Sequence, residues 1–152
     1  MSTVSVAAQR TVGAPAAAVY GYVSDYRRHH AEFLPPAFSG FEVEQGGTGA
    51  GTVVRFTVSA GGRSRPYRME VTEPEPGRVL AETDTGSSLV TVFTVTPEGG
   101  DRSLVRIETS WEGAGGVRGL FEKLFAPPAM RRIYDDELRR LDRYARQQGA
   151  SG

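Results

Sequence analysis

The stretch Pro128–Gln148 constrains the fold more than any other part of the chain, because its apolar residues recur with the period of one long α-helix. Met130, Ile133, Tyr134, Leu138, Leu141, Tyr144 and Ala145 fall three and four residues apart and form one stripe. Arg132, Asp135, Asp136, Arg139, Asp142 and Arg143 fall on the other side. A helix of this length reaches about 30 Å, enough to cross a small domain. Its stripe must be buried, so the rest of the chain has to supply a complementary apolar surface. On the opposite face, Asp135 with Arg139 and Asp136 with Arg140 stand four apart in the favourable acid-first order.

The preceding chain supplies strands. Thr3 to Val12 alternates loosely and predicts a first strand with a thin apolar face. Gly13-Ala14-Pro15 then opens a helix over Ala16 to Tyr26, with Val19, Tyr22, Val23 and Tyr26 at helical spacing. A second short helical piece is expected over Arg27 to Phe33, stopped by Pro35-Pro36. Beyond the prolines the period changes from 3.6 to 2. Phe41 and Val43, then Val54, Phe56 and Val58, then Tyr67, Met69 and Val71 alternate with polar residues. Val79–Thr83, Leu89–Val95 and Leu104–Trp111 follow, each bounded by glycine or proline. Short connections make these strands antiparallel neighbours. The expected fold is therefore α+β: a curved antiparallel sheet of about seven strands wrapped around the long helix, with two short helices after the first strand. One domain over 1–148 and a short disordered tail at 149–152 account for the whole length.

Composition removes several function classes. The chain has 18 basic and 18 acidic residues and no cysteine, so it carries no net pull toward nucleic acid and no thiol or cysteine-based zinc chemistry. The absence of a signal-like start and of any membrane-length apolar run predicts a cytoplasmic protein without an integral membrane segment.

The element order, the Val19–Tyr26 segment Val-Tyr-Gly-Tyr-Val-Ser-Asp-Tyr, the Glu73-Pro74-Glu75-Pro76 turn between central strands and the closing Glu137-Leu138-Arg139-Arg140-Leu141 helix resemble the START-related (SRPBCC, Bet v 1-like) superfamily. The nearest likeness is to its bacterial polyketide cyclase/dehydrase-like branch. This resemblance implies the helix-grip fold and a deep, mostly apolar cavity between sheet and helix. It also implies a hydrophobic or amphipathic small-molecule ligand, and in some members cyclisation of a polyketide chain.

Four groups of residues are candidates for chemistry. The glycine-rich run Gly46–Thr52 lacks the lysine and the following helix of a phosphate-binding loop, and is expected to be a mobile hairpin loop, which the resemblance implies lies near the cavity mouth. His29 and His30 are the only histidines, and adjacent helical residues point about 100° apart, so no metal site and no cofactor is expected from them. They are either solvated at the surface or, for His30, an acid or base at one end of the cavity. Glu137 falls within the apolar stripe and either faces inward with a raised pKa or extends from the stripe's edge to solvent. Finally, Tyr22, Tyr26, Phe33, Phe56, Tyr67, Phe93, Trp111 and Tyr134, together with Met69 and Met130, are expected on inward faces as cavity lining or core.

The sequence has no nucleophile elbow, cysteine nucleophile or cofactor fingerprint. The alternating strands and aromatic inward positions, together with the resemblance, imply binding of a hydrophobic or aromatic, lipid- or polyketide-like molecule as the leading expectation. An aromatase/cyclase or dehydratase with Glu137, Tyr67 or His30 as acid/base group is the alternative. A third reading is a partner-binding module that docks through Leu120–Phe125 or an exposed strand. The Leu120–Phe125 segment is itself open to use as a lid, an apolar plug or a partner patch.

Overall fold

The computed structural model describes residues 2–113 and 127–151. Leu120–Phe125 lies outside the described residues. The chain forms β1 (Ser2–Val12), α1 (Ala16–Ser24), a 3₁₀ turn (His30–Phe33), β2 (Phe38–Gln45), β3 (Val53–Ala60), β4 (Arg63–Glu75), β5 (Val79–Asp84), β6 (Val90–Pro97), β7 (Ser103–Gly113) and α2 (Pro127–Ser151). The seven strands make one sheet in the order β1-β7-β6-β5-β4-β3-β2, antiparallel throughout. This is the helix-grip arrangement, with α2 packed across β1 and against the 3₁₀ turn and α1.

Alternation places the core. Along β4, Tyr67, Met69 and Val71 are buried while Glu70 and Thr72 are exposed; along β6 and β7, Thr91, Phe93, Val95, Val105, Ile107, Thr109 and Trp111 point inward. These side chains meet Met130, Tyr134, Leu138, Leu141 and Ala145 of α2 in one continuous cluster. The contact removes both the sheet's concave face and the helix stripe from water, which is why neither is stable alone.

Several boundaries and faces differ from the expectations. Helix α2 continues through Gly149, Ala150 and Ser151. The second short helix contracts to one 3₁₀ turn, and α1 ends at Ser24, where Asp25 turns into extended backbone. Asp142 is not on the exposed face. It is 8% exposed, accepts a hydrogen bond from the Gly13 N–H at 2.9 Å and pairs with Arg146 at 2.8 Å and Arg10 at 3.5 Å. Helical periodicity assigned it outward because the pattern has no knowledge of the β1–α1 connection that covers it. On the truly exposed face, Asp136 takes both Arg139 and Arg140, the latter at 3.2 Å, in place of the expected Asp135–Arg139 pair.

The glycine-rich run is hydrogen-bonded to its neighbours. Gly49 N–H donates to Ser24 O at 2.9 Å, Gly47 O accepts from Tyr26 N–H at 2.7 Å, and Ala50 N–H donates to Glu73 Oε1 at 2.9 Å. The Glu73 carboxylate in turn accepts from the Tyr20 hydroxyl at 2.7 Å. The run thus joins the end of α1 to β4, and none of its residues reaches the cavity described below.

Candidate functional site

Between the sheet and α2 lies an open hollow with a cavity volume of about 50 Å³. Strands β2 to β6 provide most of its wall: Phe38 and Phe41, Phe56 and Val58, Tyr67 and Met69, Glu82, then Thr91 and Phe93, with Leu89 just before β6. Met130, Ile133, Tyr134 and Glu137 close it from α2, and His30 and Leu34 from the 3₁₀ turn and its exit. The lining is mostly apolar and aromatic. Phe38, Phe56 and Tyr67 follow one another across adjacent strands with ring centroids 5.3 and 5.7 Å apart.

Polar groups enter this apolar shell at few points. Glu82 projects from β5, two residues after Leu80, and is 6% exposed. The Tyr26 hydroxyl donates to its Oε2 at 2.5 Å. His30 stands beside it with Nε2 3.8 Å from the same oxygen. His30 Nδ1 lies 2.7 Å from the Val23 carbonyl, which can only accept, so Nδ1 carries the proton and Nε2 faces Glu82 unprotonated. Burial lowers the His30 pKa to about 4, with the Val23 bond opposing, and burial raises that of Glu82 to about 7 against the Tyr26 bond. The His30–Glu82 contact has ion-pair spacing but pairs a neutral imidazole with a carboxyl at neutral pH.

Glu137, 2% exposed, is the second carboxyl. Burial and then the Glu82 charge push its pKa well above the carboxylate range. Near it, the Tyr134 hydroxyl, Thr109 and Thr91 form a chain of hydroxyl groups with separations of 2.5 and 2.7 Å. Burial also holds the Tyr134 phenol above its ordinary range. Among the described residues no cluster of three or more His, Asp or Glu is arranged to hold a metal ion.

The residues singled out from sequence divide into two groups. His30, Phe56, Tyr67, Met69, Phe93, Met130, Tyr134 and Glu137 all line the hollow. Tyr26 stands behind Glu82, stacked on His30 at 4.3 Å, and Phe33 is fully buried beneath the imidazole. Trp111 belongs to the core near the end of β7, and Tyr22 packs against His29 and Tyr144 away from the cavity. Inward-facing strand and helix positions divide between cavity wall and solid core, and periodicity does not separate them. His29 bonds Tyr144 at 2.6 Å and is half-buried, so neither imidazole is solvated freely. Glu82 and Thr91 lay outside the sequence candidates. Glu82 had a readable signal, because period 2 from Leu80 carries it inward.

A family described as polyketide cyclase/dehydrase and lipid transport matches residues 3–146. The chain belongs to that family. A solution structure of the KanY protein is 38% identical to this polyketide cyclase-like chain, covering 96% of it and 99% of KanY, with a TM-score of 0.84. The Zhui aromatase/cyclase from Streptomyces sp. R1128 shares the fold at 20% identity, with 97% and 96% of the two chains covered and a TM-score of 0.70. A START superfamily protein from Mycobacterium smegmatis shares it at 17% identity, 95% and 98% coverage and a TM-score of 0.73. No curated protein matches this family member. Among its described residues, no helix is long and apolar enough to cross a membrane.

Proposed function

We propose that the protein binds a hydrophobic small molecule with an aromatic or lipid-like body in the hollow between sheet and α2, with Glu82 and Glu137 as its polar anchors. The observation that carries this reading is the lining itself: an open apolar hollow, rich in aromatic rings, with two buried carboxyls and few other polar groups. Such a surface gains free energy by exchanging water for apolar ligand, while the carboxyls fix orientation. The family's description, which couples cyclase/dehydrase chemistry with lipid transport, supports a ligand of this kind.

Affinity for a naphthalene-based fluorescent probe tests the site. Val58 and Ile133 line the hollow but are only half-buried, so tryptophan fits there without displacing the fully packed core. Val58→Trp and Ile133→Trp are each expected to weaken probe binding at least about tenfold, through lost volume, with little change in Tm. Unchanged affinity in both would place the probe elsewhere and remove the reading.

Glu82 and His30 favour a second reading, general acid–base catalysis on the bound molecule. A carboxyl titrating near pH 7 beside an unprotonated imidazole nitrogen can give or accept a proton at neutral pH, within a mostly apolar wall. In that case Glu82→Gln removes turnover of a polyketide-like substrate while its binding persists. Full turnover in the variant would exclude Glu82 from the chemistry, and no turnover by the unsubstituted chain would leave binding alone as the function.

A further inference from the structure

The hollow contains a buried acid with no hydrogen-bond or ion-pair partner among the described residues. Glu137 is 2% exposed, faces the cavity and makes no hydrogen bond or ion pair with any described residue. Beside it, Glu82 engages Tyr26 and His30 through Oε2 only, leaving Oε1 without a partner among the described residues. Among the described residues no arginine or lysine lines the cavity. Arg65, on the strand that carries Tyr67, is committed to Asp84 at 3.1 Å and lies over the Tyr67 ring at 4.3 Å. Among the described residues the lining therefore holds two acids, one neutral imidazole and no cation, inside aromatic walls.

Leaving a carboxyl unpaired in such a place is costly unless something compensates it. A ligand anion would add repulsion. A neutral ligand would satisfy the carboxyls with ordinary hydrogen bonds. A cation would instead form charge-assisted hydrogen bonds, roughly twice as strong, and the ring faces would favour it further. We propose that the hollow selects a hydrophobic amine, whose ammonium group is held by Glu137 and Glu82 and whose apolar body packs against Phe56, Phe93 and Tyr134. This inference rests on the ligand-binding reading above and specifies its ligand class.

The titratable groups facing the two acids are His30 from the 3₁₀ turn, Tyr26 behind Glu82, Tyr67 from β4 and Tyr134 from α2. Burial keeps the imidazole unprotonated and the three phenols protonated. The proton displaced when an ammonium enters accordingly comes from the carboxyl pair, and binding releases it to buffer.

Three ligands built on one skeleton decide the matter: a 2-naphthylpropylamine, the corresponding alcohol and the corresponding carboxylate. Each is titrated calorimetrically into the full chain at neutral pH, in buffers of different ionisation enthalpy. The amine is expected to bind roughly ten- to a hundredfold tighter than the alcohol, with proton release, and the carboxylate most weakly. Glu137→Gln is expected to bring amine and alcohol within about threefold of each other, the retained alcohol binding showing that the variant is folded. Equal affinities in the unsubstituted chain, or an amine preference that survives in both Glu137→Gln and Glu82→Gln, would overturn the ligand class and leave the cavity reading standing. No binding by any of the three would overturn both.

Discussion

Glu137, Glu82 and His30 owe their chemistry to burial, and burial ties them to stability. A carboxyl whose folded pKa is raised binds more protons in the folded state than in the unfolded one. Its stabilisation is complete below the unfolded pKa and is lost as pH rises through the folded pKa. For Glu82 this window runs from 4.5 to about 7, and Glu137 acts in the same direction. His30 acts oppositely: with its pKa lowered from 6.5 to about 4, stability falls as pH drops through that interval. The Glu82 and His30 slopes oppose one another where they overlap, and above pH 6.5 only the carboxyl slopes remain. Calorimetric Tm is therefore expected to peak at mildly acidic pH and to decline from pH 6.5 to 8, with a flatter decline in Glu82→Gln. At pH 8, Glu137→Leu is expected to raise unfolding free energy by on the order of 1–3 kcal/mol, because it removes a buried carboxyl with no partner among the described residues. A flat profile in the unsubstituted chain would contradict the burial of these groups. Part of this site was legible from residues alone: Glu137 stands inside an apolar stripe, and His30 is one of two histidines. The Glu82–Tyr26–His30 contact was not, because it joins β5 to the turn after α1 through residues some fifty positions apart.

At the scale of elements, strands and long helix were readable because one buried face imposes a period on each. The connections were less so, because their order comes from distant partners. Asp142 illustrates this. Burial raises its pKa, but the Gly13 N–H and the Arg146 and Arg10 charges outweigh burial and hold it below the usual carboxylate range. The carboxylate thereby ties α2 to the β1–α1 connection. Asp142→Ala is expected to cost about 1–3 kcal/mol in urea unfolding, as the Gly13 donor and two arginines lose their acceptor. Gly49 illustrates it again, with φ at +64° and the Glu73 carboxylate where a Cβ would stand. Gly49→Ala is expected to cost at least about 1–2 kcal/mol, since it combines left-handed strain with displacement of the Glu73 bonds. A neutral effect would mean that the glycine-rich run is free to move.

For the whole molecule, one apolar contact serves two purposes. Toward Leu138, Leu141 and Ala145 the helix and sheet close into solid core; toward Met130, Tyr134 and Glu137 they part and leave the hollow. Leu141, fully buried, belongs to the closed end, and Leu141→Ala is expected to cost about 2–5 kcal/mol without altering ligand preference. The sequence pattern specified that sheet and helix meet, while the division between core and cavity depends on side-chain packing that no single-residue period encodes. The most direct test is a titration of the isotopically labelled chain with the naphthyl alcohol, followed by amide chemical shifts. Shift changes concentrated at Phe56, Tyr67, Thr91, Phe93, Tyr134 and Glu137 are expected. Changes confined to the outer faces of the strands, with those residues unmoved, would contradict a ligand site between sheet and helix.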